Sequence, residues 1–175
     1  IGSSASFGCS NLTGVYISDI AAWCAIEFET FDANPLYYAG NLYLNGELVT
    51  EVVIPASVTS IGNMAFSYCS GLAKITVAEG NPVYHSKGNC LIETATKTLI
   101  LGCQNSVIPT DGSVTSIDSY AFYGCSSLAE ITIPDSVTSI GSSAFEDCSS
   151  LTEITIPASV TSIGSSAFFG CSNLT

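Results

Sequence analysis

Hydrophobic and polar residues recur along this chain with a period of 23 residues, most clearly in its C-terminal part. Residues 131–153 are ITIPDSVTSIGSSAFEDCSSLTE, and residues 154–175 are ITIPASVTSIGSSAFFGCSNLT. The Ile-Thr-Ile stretch that opens each block alternates between apolar and polar, which predicts a short strand with one buried face. The proline after it ends the strand pairing, because proline has no N–H to donate.

The remainder of each block predicts a bend, a second extended piece and a helical turn. In SVTSIG, Val160 and Ile163 are three residues apart, so this piece bends, and Gly164 permits a turn. In A-F-x-x-C-x-x-L the apolar residues have a helical spacing. One block cannot bury its apolar residues by itself, so we expect successive blocks to stack as the coils of a solenoid.

The same pattern extends over the whole chain, which we interpret as one solenoid spanning residues 1–175 with six or seven coils. Two longer, irregular units, residues 14–51 and 75–105, interrupt the regular ones. The chain opens and closes inside a repeat, so we expect it to be part of a longer array. The other regular segments are residues 1–13, 52–74 and 106–130.

The irregular units predict local elements of their own. Ser18 or Asp19 could cap a short amphipathic helix. NLYLNGELV predicts a hairpin with Asn45-Gly46 at its turn, and NCLIETATKTLILGC predicts a second hairpin turning near Ala95-Thr96. Both units also contain the motif N-P-x-Y.

Aromatic residues concentrate in these units. Inserted segments of repeat proteins often bind ligands, although aromatic residues there can equally pack the enlarged coils. The candidate binding residues of the irregular units are Tyr37, Tyr38, Tyr43, Tyr84 and His85.

The charge balance narrows the class of partner. The chain has three lysines, no arginine and fifteen acidic residues, for a net charge of −12. Such a surface excludes nucleic acid and an anionic membrane as partners. No apolar run is long enough to span a membrane, so direct membrane insertion is not expected.

The repeat L-x-x-I-x-I-P-x-S-V-x-x-I-G-x-x-A-F-x-x-C-x-x-L resembles the BspA-type leucine-rich repeat found on surfaces of host-associated bacteria and some protozoa. This resemblance implies an α/β-type leucine-rich-repeat solenoid: a right-handed coil stack with a parallel β-sheet on one face. It also implies an extracellular or cell-surface protein that binds host proteins, matrix or other cells. One departure is Ser6, where other coils have phenylalanine; Phe7 could fill the gap.

The outward side chains of the predicted sheet are the second set of binding candidates. Rigid, extended and moderately polar surfaces of this kind suit protein partners. The predicted column comprises Tyr16, Glu51, Val53, Lys74, Thr76, Glu130, Thr132, Glu153 and Thr155.

Eight cysteines and one histidine are the remaining candidates for chemistry. Cys125, Cys148 and Cys171 are 23 residues apart, which favours a stacked column of buried thiols over disulfides. Cys90 and Cys103 flank the second hairpin and could pair. No C-x-x-C spacing suggests zinc, and we expect neither a metal nor a cofactor.

The sequence therefore predicts a binding protein and not an enzyme, since His85 has no spacing-related catalytic partner. The main alternative is a structural spacer that displays a ligand-binding domain lying outside these residues. We also expect that apolar edges on the end coils favour end-to-end self-association of this chain.

Overall fold

The computed structural model describes residues 1–175, and it confirms a stack of about six coils with parallel sheets and few helices. The helices are short: α1 (Ile20–Cys24), a 3-10 helix (Phe31–Ala33) and α2 (Leu36–Ala39). The strands are β1 (Val15–Ile17), β2 (Leu42–Leu44), β3 (Glu47–Leu48), β4 (Glu51–Ile54), β5 (Lys74–Val77), β6 (Tyr84–Lys87), β7 (Cys90–Glu93), β8 (Thr98–Leu101), β9 (Ser116–Ile117), β10 (Ser139–Ile140) and β11 (Ser162–Ile163). No helix is long and apolar enough to cross a membrane.

Three sheets follow the coils. Their strand orders are β1-β2-β3, β4-β5, and β11-β10-β9-β8-β7-β6. Coil-to-coil pairing is parallel and in register with the repeat, so that Ser139 pairs with Ser162 and Ile140 with Ile163. Each coil therefore places equivalent residues directly over one another.

The position of the sheet differs from the prediction in the C-terminal coils. The segment before the I-P step of the repeat forms strands at β1, β4 and β5, and β4 and β5 pair with each other over Glu51–Ile54 and Lys74–Val77. In residues 106–175 the parallel strands are instead the Ser-Ile pairs β9, β10 and β11. The turns carry a second set of hydrogen bonds between coils, in which Phe122 N donates to Ala144 O at 2.7 Å.

The predicted helical turn is built from consecutive tight turns. Glu146 N donates to Ser143 O and Cys148 N to Phe145 O, both three-residue steps. Ser143 and Asp147 have φ of 54° and 60°, which interrupts a right-handed helix. The apolar side chains nevertheless point inward, as the helical spacing predicted.

The core runs along the axis of the stack. Phe122 stacks on Phe145 with ring centroids 4.9 Å apart, and Phe145 on Phe168 at 5.4 Å. Two buried clusters, of 21 and 18 residues, fill the N-terminal and C-terminal parts. Packing between coils therefore supplies the burial that no single coil could achieve.

The irregular units form the predicted elements and one more. Asp19 caps α1 by accepting hydrogen bonds from Ala21 N and Ala22 N at 2.8 and 3.2 Å. The two predicted hairpins are confirmed as β2-β3 and β7-β8. Sequence reasoning missed β6, which pairs antiparallel with β7 through the Gly88-Asn89 turn.

The first coil departs from the expectation for Phe7. This side chain is 74% exposed and does not fill the place of the missing phenylalanine. Ser6 occupies that place and donates its hydroxyl to Ala33 O at 3.1 Å. A hydrogen bond to the neighbouring irregular unit thus replaces an aromatic contact.

Candidate functional site

An open groove crosses three successive coils on the side of the predicted sheet. Its volume is about 520 Å³. Four of the predicted binding residues meet in it: Glu130, Thr132, Glu153 and Thr155. The remaining lining residues are Ser106, Val107, Ile108, Thr110, Ile131 and Ile154. We call these ten residues the inter-coil groove.

Two segments that cross the inter-coil groove, residues 131–133 and 154–156, lie outside any strand and have an unpaired backbone. In β4 and β5 the equivalent residues form a complete parallel ladder, with Val53 opposite Thr76. In residues 131–133 and 154–156, by contrast, no backbone N–H donates and no C=O accepts a hydrogen bond within the chain. Exposed extended segments with free donors and acceptors are templates for strand pairing.

The groove has an apolar floor and a polar rim. Ile131 is buried, Ile154 is half-buried, and Val107 is 69% exposed at one end. Glu130 and Glu153 are exposed and lie on adjacent coils, as the repeat predicted. Apolar surface beside polar groups that can form hydrogen bonds is typical of protein-binding surfaces.

The other residues of the predicted column lie in separate patches. Tyr16 is exposed and stacks on Tyr43, with ring centroids 4.6 Å apart. Lys74 Nζ lies 2.6 Å from Glu51 Oε1 in a surface ion pair. Val53 and Thr76 belong to the two-stranded sheet β4-β5, in which they lie opposite each other.

The binding candidates of the irregular units also lie apart from one another and do not form a single site. Tyr84 is 8% exposed and packs in the N-terminal core, which agrees with the packing alternative and not with a binding role. His85 is half-buried, and its Nδ1 lies 2.8 Å from Thr94 Oγ1. Tyr37 and Tyr38 remain at the surface, where they pack edge to face with centroids 4.8 Å apart.

Five of the eight cysteines are thiols that donate to backbone carbonyl groups. Cys148 Sγ donates to Phe122 O at 3.2 Å, and Cys171 Sγ donates to Phe145 O at 3.1 Å. All eight cysteines, including Cys90 and Cys103, are free. The stacked column of Cys125, Cys148 and Cys171 is therefore explained by S–H···O hydrogen bonds from each coil to the coil before it.

Burial makes these thiols poor nucleophiles. It raises the pKa of Cys90 to about 12 and that of Cys69 to about 11. Burial, and then the negative charge of Asp19, raise the pKa of Cys24 to about 12. The thiolate form needed for reaction or metal binding is thus disfavoured at neutral pH. No group of three or more His, Cys, Asp or Glu side chains is placed to hold a metal ion.

Sequence reasoning missed several functional candidates. Ser106, Ile108 and Thr110 line the inter-coil groove because the segment after the second hairpin lies beside the regular coils. Val107 also lines the groove, and the sequence places it in the same outward column as Thr132 and Thr155.

The stacked parallel coils, the repeating apolar ladder and the exposed extended face define a leucine-rich-repeat protein. Residues 100–175 match the family described as BspA type Leucine rich repeat region, in six copies. The predicted BspA-type leucine-rich repeat is thereby confirmed in residues 100–175.

Solved structures agree with this assignment. A leucine-rich repeat protein from Eubacterium ventriosum is 30% identical, with a TM-score of 0.60, over 77% of this chain and 36% of its own. A leucine rich cell surface protein from Faecalibacterium prausnitzii is 28% identical, with a TM-score of 0.66, over 100% of this chain and 49% of its own. The pneumococcal vaccine antigen PcpA, at 18% identity and a TM-score of 0.59 over 91% of this chain and 49% of its own, shares the fold.

The chain spans about half the length of these proteins, or less. No curated protein sequence matches it.

Proposed function

We propose that this chain is a non-enzymatic, extracellular or cell-surface module that binds another protein through the inter-coil groove. The observation that carries the proposal is the set of extended segments whose backbone groups are free. The F. prausnitzii protein that resembles the whole chain is described as a cell surface protein, which supports the location. Leucine-rich repeats and other solenoids bind mainly through such extended surfaces.

The partner we propose is an extended segment of a host protein, of the extracellular matrix or of another cell. Strand addition would satisfy the free N–H and C=O groups of residues 131–133 and 154–156. Thr132 and Thr155 would contact the side chains of that segment. Glu130 and Glu153 on the rim would favour a partner without acidic residues there.

Filling the groove tests this function. The double substitution Thr132→Arg and Thr155→Arg places two long side chains over the groove, and both threonines are exposed, so the core is untouched. We expect it to abolish adhesion of chain-coated beads to cultured epithelial cells and to surfaces coated with extracellular matrix. Circular dichroism and the melting temperature should stay unchanged.

The matched control carries the same charge change outside the groove. Thr50 and Thr59 are exposed, and neither residue lines the inter-coil groove. The double substitution Thr50→Arg and Thr59→Arg should therefore leave adhesion as strong as that of the unmodified chain. Adhesion equal in all variants would overturn the groove as the binding surface. No adhesion by the unmodified chain would instead support the structural spacer.

A further inference from the structure

A second groove, independent of the proposed function, lies where the turns of the coils meet the first irregular unit. Its volume is about 350 Å³. We call it the tyrosine groove. Three aromatic residues, Tyr37, Tyr38 and Tyr68, line it together with Asp147 and the serines Ser70, Ser126 and Ser149.

The tyrosine groove is built at positions where the chain departs from its own repeat. The second left-handed residue of each turn is glycine in three coils, at Gly8, Gly124 and Gly170. In the other two coils it is Tyr68, with φ of 62°, and Asp147, with φ of 60°. Left-handed backbone is unusual for a bulky residue, and such outliers cluster at functional sites.

These two exceptional residues contact each other across the intervening coil. Tyr68 Oη donates to Asp147 Oδ2 at 2.8 Å, although the residues are 79 apart in sequence. Between them, Gly124 leaves room for the ring, since a Cβ there would lie 2.5 Å from Tyr68 Cδ1. Tyr37 packs edge to face on Tyr68, with centroids 4.9 Å apart, and completes the aromatic wall.

The groove carries negative charge with no cation beside it. Asp147 lines it, Glu146 is its neighbour, and none of the three lysines is among the lining residues. Lys74 and Lys87 are paired with Glu51 and Asp111.

Two hydroxyl groups add hydrogen-bonding capacity. Ser70 Oγ donates to Gly40 O at 3.3 Å, whereas the hydroxyls of Ser126 and Ser149 have no partner within the chain. Aromatic rings, a carboxylate and free hydroxyls together match a guanidinium group, which stacks on rings and donates several hydrogen bonds.

We propose that the tyrosine groove binds an arginine side chain from a basic segment of a partner protein. The guanidinium would stack against Tyr37 and Tyr38 and donate to the Asp147 carboxylate and to the serine hydroxyls. The net charge of −12 would attract such a segment from a distance.

The test measures binding of the peptide acetyl-Gly-Arg-Pro-Arg-Gly-amide by isothermal titration and by NMR shift mapping. The same peptide with citrulline in place of arginine keeps the shape and loses the charge. We expect the arginine peptide to bind and to shift the resonances of Tyr37 and Asp147, and the citrulline peptide to bind at least about tenfold more weakly.

The decisive variant is Asp147→Gly. It restores the residue that other coils have at this left-handed position, so the melting temperature should stay the same or rise. We expect it to weaken binding of the arginine peptide about tenfold. The control Asp135→Asn removes one exposed charge outside the groove and should leave the affinity unchanged.

Three results would overturn the proposal. They are absence of binding to the unmodified chain, equal losses in Asp147→Gly and Asp135→Asn, and equal affinities for the arginine and citrulline peptides. The second result would mean non-specific attraction to a negative surface. The third, or binding of a neutral oligosaccharide such as cellohexaose to the same residues, would assign the groove to uncharged ligands.

Discussion

At the scale of single residues, the left-handed positions in the turns decide which side chains the repeat tolerates. Each turn has two residues with positive φ, and the second is most often glycine. Gly124 combines two requirements, because its φ is 72° and the Tyr68 ring lies over its Cα. Gly112 has φ of 79° but nothing within 4 Å of an added Cβ.

Comparing Gly124→Ala with Gly112→Ala separates these requirements. We expect Gly112→Ala to lower the free energy of unfolding by about 1 kcal/mol, through backbone strain alone. Gly124→Ala should lower it by about 3 kcal/mol, because the methyl group also displaces Tyr68. Urea unfolding measures both values, and equal losses would show that the contact with Tyr68 does not limit this position.

The buried thiols make stability depend on pH. In Cys24, Cys69 and Cys90 the folded pKa lies near 11 to 12, against an ordinary value of 9.0. Burial of these neutral thiols contributes fully to the free energy of unfolding below pH 9. The contribution is lost as the pH rises toward the folded pKa, because in that range the thiols ionise only in the unfolded chain.

We expect the free energy of unfolding to fall above pH 9 by about 1.4 kcal/mol per pH unit for each such thiol. Urea unfolding between pH 8 and pH 10.5 measures this slope, and Cys90→Ala should reduce it. Alkylation at pH 8 should modify exposed Cys9 quickly and these three thiols only after unfolding. Stability independent of pH over this range would contradict the burial of the thiols.

At the scale of elements, the N-P-x-Y motif explains how the irregular units attach to the regular coils. Asn81 Nδ2 donates to Pro55 O and Val58 O, both at 2.9 Å. Its Oδ1 accepts from Val83 N at 2.9 Å and from Tyr84 N at 2.8 Å. Asn34 uses the same arrangement, donating to Met64 O at 2.7 Å and accepting from Leu36 N at 2.9 Å.

Each asparagine therefore joins a turn of its own unit to the backbone of a neighbouring coil. Asn81→Asp keeps the acceptor and removes the donor, and it places a carboxylate beside two carbonyl oxygens. We expect a loss of about 3 kcal/mol at pH 7, with partial recovery below about pH 4 as the new carboxyl group becomes a donor.

Asn173→Asp is the matched control for this substitution. Asn173 Nδ2 donates to Ser149 O at 2.8 Å, but the side chain is exposed, so the loss should stay below about 1 kcal/mol. Thermal unfolding of both variants at pH 7 and pH 3.5 provides the measurement. A larger loss for Asn173→Asp would show that the motif does not hold the units together.

At the scale of the whole molecule, a stack of coils predicts graded stability, because each coil is stabilised mainly by its neighbours. Leu128 and Val137 in the middle are fully buried, whereas Ile156 and Ile163 in the last coil are 37% and 49% exposed.

We expect hydrogen exchange to be fastest in residues 1–13 and 154–175 and slowest among the hydrogen-bonded amides of residues 107–140. The amides of residues 131–133 are the exception and should exchange quickly, since they donate no hydrogen bond within the chain. Uniform protection across all coils would contradict a nearest-neighbour stack.

The exposed apolar edge also supports the predicted end-to-end association of this chain. Ile156→Lys should suppress association at high concentration, measured by analytical ultracentrifugation, while the exchange pattern of the middle coils stays unchanged. Association that persists in Ile156→Lys would place the contact elsewhere.

The sequence by itself determined the features that depend on neighbouring residues or on the period. The spacing of 23 residues predicted the coil stack and the column of Cys125, Cys148 and Cys171. Asp19 as a helix cap and Asn45-Gly46 as a hairpin turn followed from local backbone preferences. The structure contains these features because they depend on the local sequence and the repeat period, and not on which coils are in contact.

Only the tertiary structure decided which of two extended segments in each coil forms the sheet. The repeat contains both, and local sequence is nearly the same in each coil, so only the contacts between coils distinguish them. In the C-terminal part the Ser-Ile segments pair and the segments of the inter-coil groove do not. Tyr84 was likewise a binding candidate that the sequence could not separate from a packing residue, and the structure places it in the core.

The contact between Tyr68 and Asp147 could not be predicted from the sequence either. Tyr68 N donates to Tyr123 O at 3.2 Å, so the turns of residues 52–74 and 106–130 meet directly and bypass the second irregular unit. The repeat period predicts which residues are equivalent in successive coils. It does not predict which turns are in contact, because that depends on where an inserted unit lies in space. That placement is a property of the folded stack.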